Sequence, residues 1–398
     1  MNASLKLLRS GFVLTTLALT LTGLMAGCSK QASQAPVAEN PKLPAESATA
    51  AAGAQPDVPE LIDGEQSLDT SQELPVRKVP NIPEAAEPYY ANDNLHIVAE
   101  VQDPKALHSK NPRAAGGALD WIFTDQGIGI EKVNDHGQDA CAYFFPDDKH
   151  FVFTSTRDNM KVPIGNWSDP ADYPKGAELY ITDLSPDYKV SNIRRLTHND
   201  DYEAEVSVSP DGKWLAYNRQ HDGMLDIWRM RPDGSDQQQI THTPDWEEGA
   251  PFFLPDSQTI MFRAWKKSEF GKVQPTPMTV FTIKVDGTDL TQRTFDNTMN
   301  WAPYPAPDGR HYVFVRVAPD NNWEIYLGDL ENARNLKRLS YHAGFDGFPS
   351  LSRDGKKMVF TRSEGKGFMS DLYTYVMDVS SLNLGPENYK GVPAETAH

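Results

Sequence analysis

A turn built on Pro and Asp and followed by an apolar strand recurs five times along this chain. In the clearest copy, the turn Ser-Pro-Asp-Gly at 209–212 joins two strand-like stretches within 205–219. Proline presets φ, the Asp side chain bonds its own turn, and glycine supplies the positive φ that closes a hairpin. The five copies align on Pro146, Pro210, Pro255, Pro307 and Arg353. A unit of short strands that returns every 45 to 64 residues predicts a β-propeller with one sheet per repeat.

The strand after each turn supports the same interpretation. It is apolar at consecutive positions, which indicates burial on both faces, as between packed blades. These strands are 151–153, 215–217, 260–262, 312–314 and 358–360. A less complete unit at 95–133 precedes them. The sequence therefore predicts an all-β fold, a six-bladed β-propeller of four-stranded antiparallel blades. Five or seven blades remain open, and the strand that closes the ring is not identified.

The repeat also resembles a known family. Ser-Pro-Asp-Gly-Lys at 209–213, Asp-Ile-Trp at 226–228 and Arg-Leu-Thr-His at 195–198 are similar to the TolB-type propeller repeat, also called the WD40-like or PD40 repeat. The resemblance covers residues of about 90–384 and implies the propeller fold. The family includes periplasmic TolB proteins, propeller domains of prolyl-oligopeptidase-type peptidases and oligogalacturonate lyases. TolB carries an additional N-terminal α/β domain, and this chain is expected to have a tether in that place.

The N-terminus predicts export. Lys6 and Arg9 precede an apolar run at 11–24, and Leu-Met-Ala-Gly leads into Cys28. A basic start, a short apolar run and small residues before a cleavage point are typical of a secretory signal. The Cys after Ala-Gly resembles the lipobox of bacterial lipoproteins, which implies that Cys28 is acylated. An ordinary signal peptide is the alternative. Ser29 in place of an Asp favours the outer membrane, with the protein facing the periplasm.

Three parts of the chain are predicted from this pattern. Residues 1–27 are the lipoprotein signal peptide. Residues 28–88 are rich in Ala, Pro, Gln, Glu and Ser and have no sustained apolar period, which predicts a disordered tether. Residues 89–398 are the TolB-like propeller.

The charge of the chain narrows its partners. It has 55 acidic and 38 basic residues, for a net charge of −17. Such a protein gains nothing from the counterion release that drives nucleic-acid binding. We therefore expect a protein or glycan partner in the cell envelope, no nucleic acid, and membrane contact only through the acylated N-terminus.

Two cysteines are present, and the second is Cys141. With Cys28 acylated, Cys141 has no disulfide partner, so it is either a reactive thiol or a small buried hydrophobe. Its neighbours Ala140, Ala142 and Tyr143 favour burial.

A set of acids recurs at one position of the repeat, seven residues before the alignment point. This position is predicted to begin the innermost strand, so the symmetry of a propeller would bring the side chains together at the mouth of the central channel. Their oxygens would suit Ca²⁺, which takes six to eight such ligands, or a cationic group. Arg219, Arg316 and Arg362, nine residues after the alignment point, could instead pair with them in a structural network. The five ligand candidates are Asp139, Glu203, Glu248, Asn300 and Asp346, and the four acids among them are the candidate metal ligands.

Long connections are predicted at the same end of the propeller. They span about 103–117, 158–177 and 265–278, longer than ordinary hairpin loops, and such loops often bind partners. Trp167 and Trp265 within them are candidate contact residues for peptides or sugars. Packing of the loops over the rim is the alternative.

No catalytic residue is predicted. The chain contains no Gly-x-Ser-x-Gly, Walker, dinucleotide-binding or His-Glu-x-x-His motif. The favoured function is an envelope lipoprotein whose propeller is a non-catalytic protein- or glycan-binding module with an acidic central mouth. One alternative is a metal-dependent polysaccharide lyase or hydrolase that uses His198, His242 and His342, as the resemblance to oligogalacturonate lyases implies. The other is a structural scaffold of an envelope complex.

Overall fold

The computed structural model describes residues 70–102, 118–161, 165–318, 322–366 and 369–391. Within them the chain forms six four-stranded antiparallel sheets, so the predicted six-bladed propeller is confirmed. The predicted signal peptide, Cys28 and most of the predicted tether lie outside these ranges. The same ranges hold no helix with the length and apolar character that a membrane span requires.

The strands follow one another around the ring in chain order, and each blade runs from the centre outwards. The first strand, β1 (Val76–Lys78), belongs to the last blade. Blade one contains β2 (Ala85–Tyr90), β3 (His96–Gln102), β4 (Ala118–Thr124) and β5 (Glu131–Lys132). Blade two contains β6 (Asp139–Phe144), β7 (His150–Ser155), β8 (Glu178–Leu184) and β9 (Val190–Arg195). Blade three contains β10 (Tyr202–Val208), β11 (Leu215–His221), β12 (Met224–Met230) and β13 (Gln238–Gln239).

The remaining three blades repeat this arrangement. Blade four contains β14 (Trp246–Phe253), β15 (Thr259–Lys266), β16 (Thr279–Lys284) and β17 (Thr291–Gln292). Blade five contains β18 (Asn300–Pro305), β19 (His311–Val317), β20 (Trp323–Asp329) and β21 (Lys337–Arg338). Blade six contains β22 (Asp346–Leu351), β23 (Lys357–Ser363) and β24 (Leu372–Asp378), with β1 as its fourth strand.

The ring is closed by β1. It pairs antiparallel with β24, and Arg77 lies opposite Val376. Blade six therefore takes three strands from the end of the propeller and one from its beginning. Because β1 and the first residues of β2 fall within 28–88, the predicted boundary of the tether is too late, and blade one is complete rather than partial. The strand β1 is short and largely polar, so it has no apolar period of its own that would have revealed it.

The Pro-Asp turns form as predicted. Asp211 accepts hydrogen bonds from the Ser209 hydroxyl at 2.6 Å and from the Lys213 backbone N–H at 3.1 Å, and Gly212 has a φ of 70°. The second strands are buried on both faces: Phe151, Phe262 and other apolar members have no exposed surface. Their side chains pack against the neighbouring blades, so the core consists of the spaces between blades.

Every inner strand contains a β-bulge at the same place. The register with the second strand shifts there by one residue in all six blades. One residue in each bulge has a positive φ, between 48° and 52°. A bulge bends its strand and redirects the side chains on either side of it. The six bulge residues are Glu87, Cys141, Glu205, Ala250, Ala302 and Phe348.

Candidate functional site

Four aromatic side chains meet in the middle of the ring. Tyr89, Tyr143, Phe252 and Tyr304 come from four different blades, and their ring centroids are 5.0 to 6.2 Å apart. The hydroxyls of Tyr143 and Tyr304 lie 3.0 Å apart, within hydrogen-bond distance. Three of the rings are buried and Tyr89 is half-buried. Because contacts such as Tyr89 with Phe252 join opposite blades, this cluster blocks the central channel.

A small cavity lies beside this aromatic cluster. It is lined mainly by the six bulge residues, together with Arg263 and Trp301. Its volume is about 40 Å³, which holds an ion or a few water molecules. Pockets that enclose small-molecule ligands are roughly 300–1,000 Å³. The central cavity therefore suits an ion or a single functional group.

One wall of the cavity carries a balanced ion pair. Arg263 donates to Glu205 Oε1 at 2.7 Å, and the backbone N–H of Ala250 donates to Glu205 Oε2 at 2.8 Å. The amide of Asn218 also donates to this carboxylate. Although burial acts against it, the Glu205 charge raises the pKa of Arg263 above its usual value. This wall is therefore neutral overall, and its acid is fully hydrogen-bonded.

The neighbouring wall is different, because two acids and a thiol meet there. The backbone N–H of Cys141 donates to Glu100 Oε1 at 2.7 Å, and its thiol donates to Glu87 Oε2 at 3.4 Å. Burial and the charge of Glu205 raise the pKa of Glu87, while burial and the charge of Glu87 raise the pKa of Glu100 well above its ordinary value. Burial and the same two acids raise the pKa of the Cys141 thiol. The predicted burial of Cys141 is confirmed.

The five predicted ring residues lie elsewhere. All are buried, and they occupy positions two residues before the bulge residues in their inner strands. The lining of the cavity contains none of them. The structure therefore corrects their predicted place, because the bulge changes which residue faces the channel. The five residues concerned are Asp139, Glu203, Glu248, Asn300 and Asp346.

Three of these five residues face arginines on the second strand. Strand register places Glu203 opposite Arg219, Asn300 opposite Arg316 and Asp346 opposite Arg362. Arg362 binds both oxygens of Asp346, at 2.8 and 2.7 Å. Arg219 lies 3.5 Å from Glu203 and pairs more closely with Asp201, and Arg316 donates to Asn300 at 3.3 Å and to Asp296. The pairing considered as an alternative is thus present.

The other two acids are held by neutral groups. Asp139 accepts from the Asn134 amide at 2.9 Å, and burial raises its pKa to about 6. Glu248 accepts from the hydroxyls of Thr241 and Thr243, and burial raises its pKa well above its usual value. These contacts join each acid to its own blade or to the segment before it. Binding of a ligand or Ca²⁺ by the five residues stays a prediction.

The two tryptophans that were predicted to contact a partner lie in different environments. Trp265 is only 2% exposed and donates its indole N–H to Glu247 at 3.1 Å, so it is a packing residue rather than a contact residue. Trp167 is half-buried, donates to Gln138 at 3.3 Å and packs on Tyr202 at 5.8 Å between ring centroids. The predicted loop at 103–117 lies outside the described residues.

The sequence did not single out Trp301 and Phe348, two aromatic residues that border the cavity. Trp301 and Phe348 line it, are half-buried, and pack 4.6 Å apart. Tyr173 is also half-buried and stacks on Tyr202 at 4.3 Å. We call Tyr173, Trp301 and Phe348 the aromatic rim. No single residue type recurs at the bulge position across the blades, so aligning the repeats gave no signal for Phe348.

Two larger grooves lie away from the cavity. One, of about 510 Å³, includes Arg194 and Arg195, which pair with Asp183 and Glu178. The other, of about 560 Å³, includes Arg77 and Lys357, which both pair with Asp125. Because these cations already have acidic partners in the chain, the grooves are weaker candidates than the central cavity.

The fold and its closed ring define a six-bladed β-propeller, and solved TolB structures are among those with a similar fold. A TolB from Acinetobacter baumannii is similar with a TM-score of 0.53 and 16% identity, over 73% of this chain and 65% of that chain. A protein described as TolB from Agrobacterium tumefaciens has a TM-score of 0.50 and 18% identity, over 76% of this chain and 96% of that chain. At these identities the likeness concerns the fold alone.

Two sequence relatives are also found, and one is a dipeptidyl-peptidase 5 of Porphyromonas endodontalis, 23% identical over 215 residues, which are 42% of this chain and 31% of that relative. An uncharacterized protein of Agrobacterium fabrum is 27% identical over 181 residues, which are 44% of this chain and 53% of the relative. The match thus spans about half the length of that relative. No family model matches the chain.

Proposed function

We propose that this chain is an envelope lipoprotein, anchored through Cys28, whose propeller is a non-catalytic protein-binding module. The observation that carries the proposal is the aromatic rim beside a cavity with acidic walls. Large, partly exposed aromatic side chains supply contact area at low cost in conformational entropy, and they are enriched where proteins meet. The net charge of −17 favours a partner surface with basic groups.

The size of the cavity favours a protein over a glycan. At about 40 Å³ it does not enclose a sugar unit, whereas a protein laid over the rim need insert only one group. The lyase alternative relied on a histidine cluster. In the part of the chain that the structure describes, His198, His242 and His342 form no group with the spacing of metal ligands. The scaffold alternative is separated from binding by the experiment that follows.

Site-specific photocrosslinking tests the binding face. A photoreactive amino acid replaces Phe348 at the rim or, as a matched control, the half-buried Trp214 at the Pro-Asp turn of blade three. After irradiation of intact cells, position 348 is expected to give one discrete adduct with an envelope protein, identified by mass spectrometry, and position 214 none. Equal labelling from both positions would remove the rim from consideration. An adduct that glycosidases degrade would identify a glycan partner instead.

Anchoring is tested separately from binding. Cys28→Ser is expected to abolish incorporation of labelled fatty acid and to release the protein from the membrane fraction. A protein that stays in the membrane fraction without Cys28 would show that acylation is not the anchor.

A further inference from the structure

Blade one departs from the charge pattern of the other blades. Directly before the bulge residue, the inner strand of blade four lies opposite Arg263 on the second strand, and in blades two, three, five and six the opposite residue is neutral: Thr154, Asn218, Val315 and Thr361. In blade one the corresponding pair is Ala86 and Glu100, so an acid stands where blade four has a cation and the other blades have neutral residues. Arg263 is a neighbouring cation in the cavity, and Glu205 already binds it. Blade one therefore brings acids to the cavity without supplying their counter-charge.

We propose that Glu87, Glu100 and Cys141 form a binding site for a divalent transition-metal ion, best suited to Zn²⁺, in the wall of the central cavity. The site goes beyond the proposed function and does not depend on it. It is distinct from the Ca²⁺ ring expected from the sequence, because its ligands include none of the ring residues.

The geometry of the three donors suits one ion. One atom from each of them, two carboxylate oxygens and the Cys141 sulfur, lies within 4.8 Å of the other two. In tetrahedral zinc sites the Zn–S and Zn–O bonds are roughly 2.3 and 2.0 Å, so neighbouring ligand atoms lie about 3.5 Å apart. The sulfur is already 3.4 Å from Glu87 Oε2. The backbone N–H of Cys141 holds one oxygen of Glu100, which fixes the orientation of that carboxylate.

A separate observation indicates that a cation is needed here. Asp120 lies directly opposite Glu100 in the strand pairing of blade one. It has no exposed surface, and neither of its carboxylate oxygens has a hydrogen-bond partner. A buried, unpaired carboxylate is costly unless a positive charge lies near it. A divalent ion between Glu87 and Glu100 supplies that charge to the same acidic cluster.

The donor set selects the class of ion. A thiolate with two carboxylates suits Zn²⁺ and similar borderline ions, whereas Ca²⁺ and Mg²⁺ prefer oxygen ligands alone. The cavity of about 40 Å³ leaves space for a water molecule as the fourth ligand. Binding requires the Cys141 thiol to release its proton to solvent, together with any proton carried by Glu87 or Glu100.

Metal titration of the purified full chain tests the site. After removal of metals with a chelator, the protein is titrated with Zn²⁺ against a chromophoric competitor, and Co²⁺ is added to a second sample. We expect one equivalent of Zn²⁺ per chain and, with Co²⁺, the absorption band of a cobalt–thiolate bond. Cys141→Ser should remove that band. Cys141→Ser and Glu100→Gln, which each remove a ligand, should weaken Zn²⁺ binding at least tenfold. Asp120→Asn keeps the three ligands and should weaken Zn²⁺ binding about 10–100-fold.

The matched control is Asp226→Asn, which changes a buried acid outside the cavity and should leave Zn²⁺ affinity unchanged. Bound Zn²⁺ should also protect the Cys141 thiol from an alkylating reagent. This protection is measured on the chain without substitutions, so it does not depend on whether a variant folds. Absence of a stoichiometric equivalent, or equal binding by all variants, overturns the site. Because no partner is present, this outcome is independent of photocrosslinking at position 348.

Discussion

Individual acids in the walls between blades are stabilised in two ways, by a cation or by a proton. Asp346 accepts hydrogen bonds from two guanidinium nitrogens of Arg362. Asp226 lacks such a partner, and burial raises its pKa to about 7. Buried acids of the same propeller therefore respond to pH differently, according to which groups face them.

The pH dependence of stability should reveal Asp226. In the folded state it keeps its proton up to about pH 7, whereas in the unfolded chain it loses it near pH 4. The folded state thus binds more protons between these values, and stability falls as the pH rises from about 4 to about 7. Asp226→Asn should remove this loss. At pH 8 the variant should unfold at a higher denaturant concentration than the wild type, and its free energy of unfolding should be greater by up to about 4 kcal/mol.

Asp329→Asn serves as a control of opposite sign. Although burial acts against it, hydrogen bonds from Arg310 lower the pKa of Asp329 to about 2. Its stabilisation is present above about pH 4 and is lost as the pH falls through about 2, so the variant should be less stable at neutral pH. Parallel pH profiles for the two variants would contradict this assignment.

The pair of Arg362 with Asp346 should be costly to break. Both side chains are buried, and Arg362 also reaches Glu73, so Arg362→Met leaves two acids without their partner. We expect a loss of about 3–5 kcal/mol in the free energy of unfolding, measured by chemical denaturation. Arg194→Met, which breaks an exposed pair with Asp183, should cost less than about 1 kcal/mol. Similar losses for both would show that burial of the pair is immaterial.

The sequence indicated which residue types recur at these positions but not the direction of their side chains. The acids at 139, 203, 248 and 346 were expected to face the channel, and the bulge two residues further on presents Cys141, Glu205, Ala250 and Phe348 instead. A bulge changes which residues face each side of a strand, and none of the six positive-φ residues is a glycine that would mark the bulge. Glu87 was missed because β2 was not recognised as a strand, and Glu100 was missed because its unit at 95–133 is not among the five aligned turns.

At the scale of the element, the turns were predictable and the shortest strands were not. Pro, Asp and Gly fix the backbone locally, so the turn at 209–212 follows from four residues. The strand β1 depends on its pairing with β24, a contact across some 300 residues of the chain that no local pattern encodes.

The backbone pairing of β1 can be tested at one residue. Pro75 accepts from Asp378 and Val79 donates to Thr374, so the alternation of an antiparallel pair directs the N–H of Arg77 towards β24. Arg77→Pro removes that donor, whereas Arg77→Ala loses only the side chain and its pair with Asp125. Proline should lower stability by on the order of 1–3 kcal/mol more than alanine. Equal melting temperatures would mean that the β1 pairing contributes nothing.

At the scale of the whole molecule, the six-fold ring was predictable because each repeat carries its own turn and apolar strand. The point in the sequence where the propeller begins was not predictable, since it depends on which end of the chain supplies the fourth strand of the last blade. A chain that begins at Thr70 keeps both Glu73 and β1, and one that begins at Pro80 lacks both.

We expect the protein that begins at Thr70 to melt at the temperature of the full chain without its signal peptide. The protein that begins at Pro80 should melt several degrees lower and expose the edge of β24, which promotes association. Calorimetry and size-exclusion chromatography measure the two effects. Identical melting of both proteins would show that closure by β1 is dispensable.

The position of β1 also determines where a mechanical load enters the molecule. Whatever precedes residue 70 is joined to the ring through three paired residues of blade six, reinforced by the contact of Glu73 with Arg362. A pull from a membrane anchor would therefore strain the junction between the first and last blades before any other part of the ring. Under tension, that junction is where the propeller would open first.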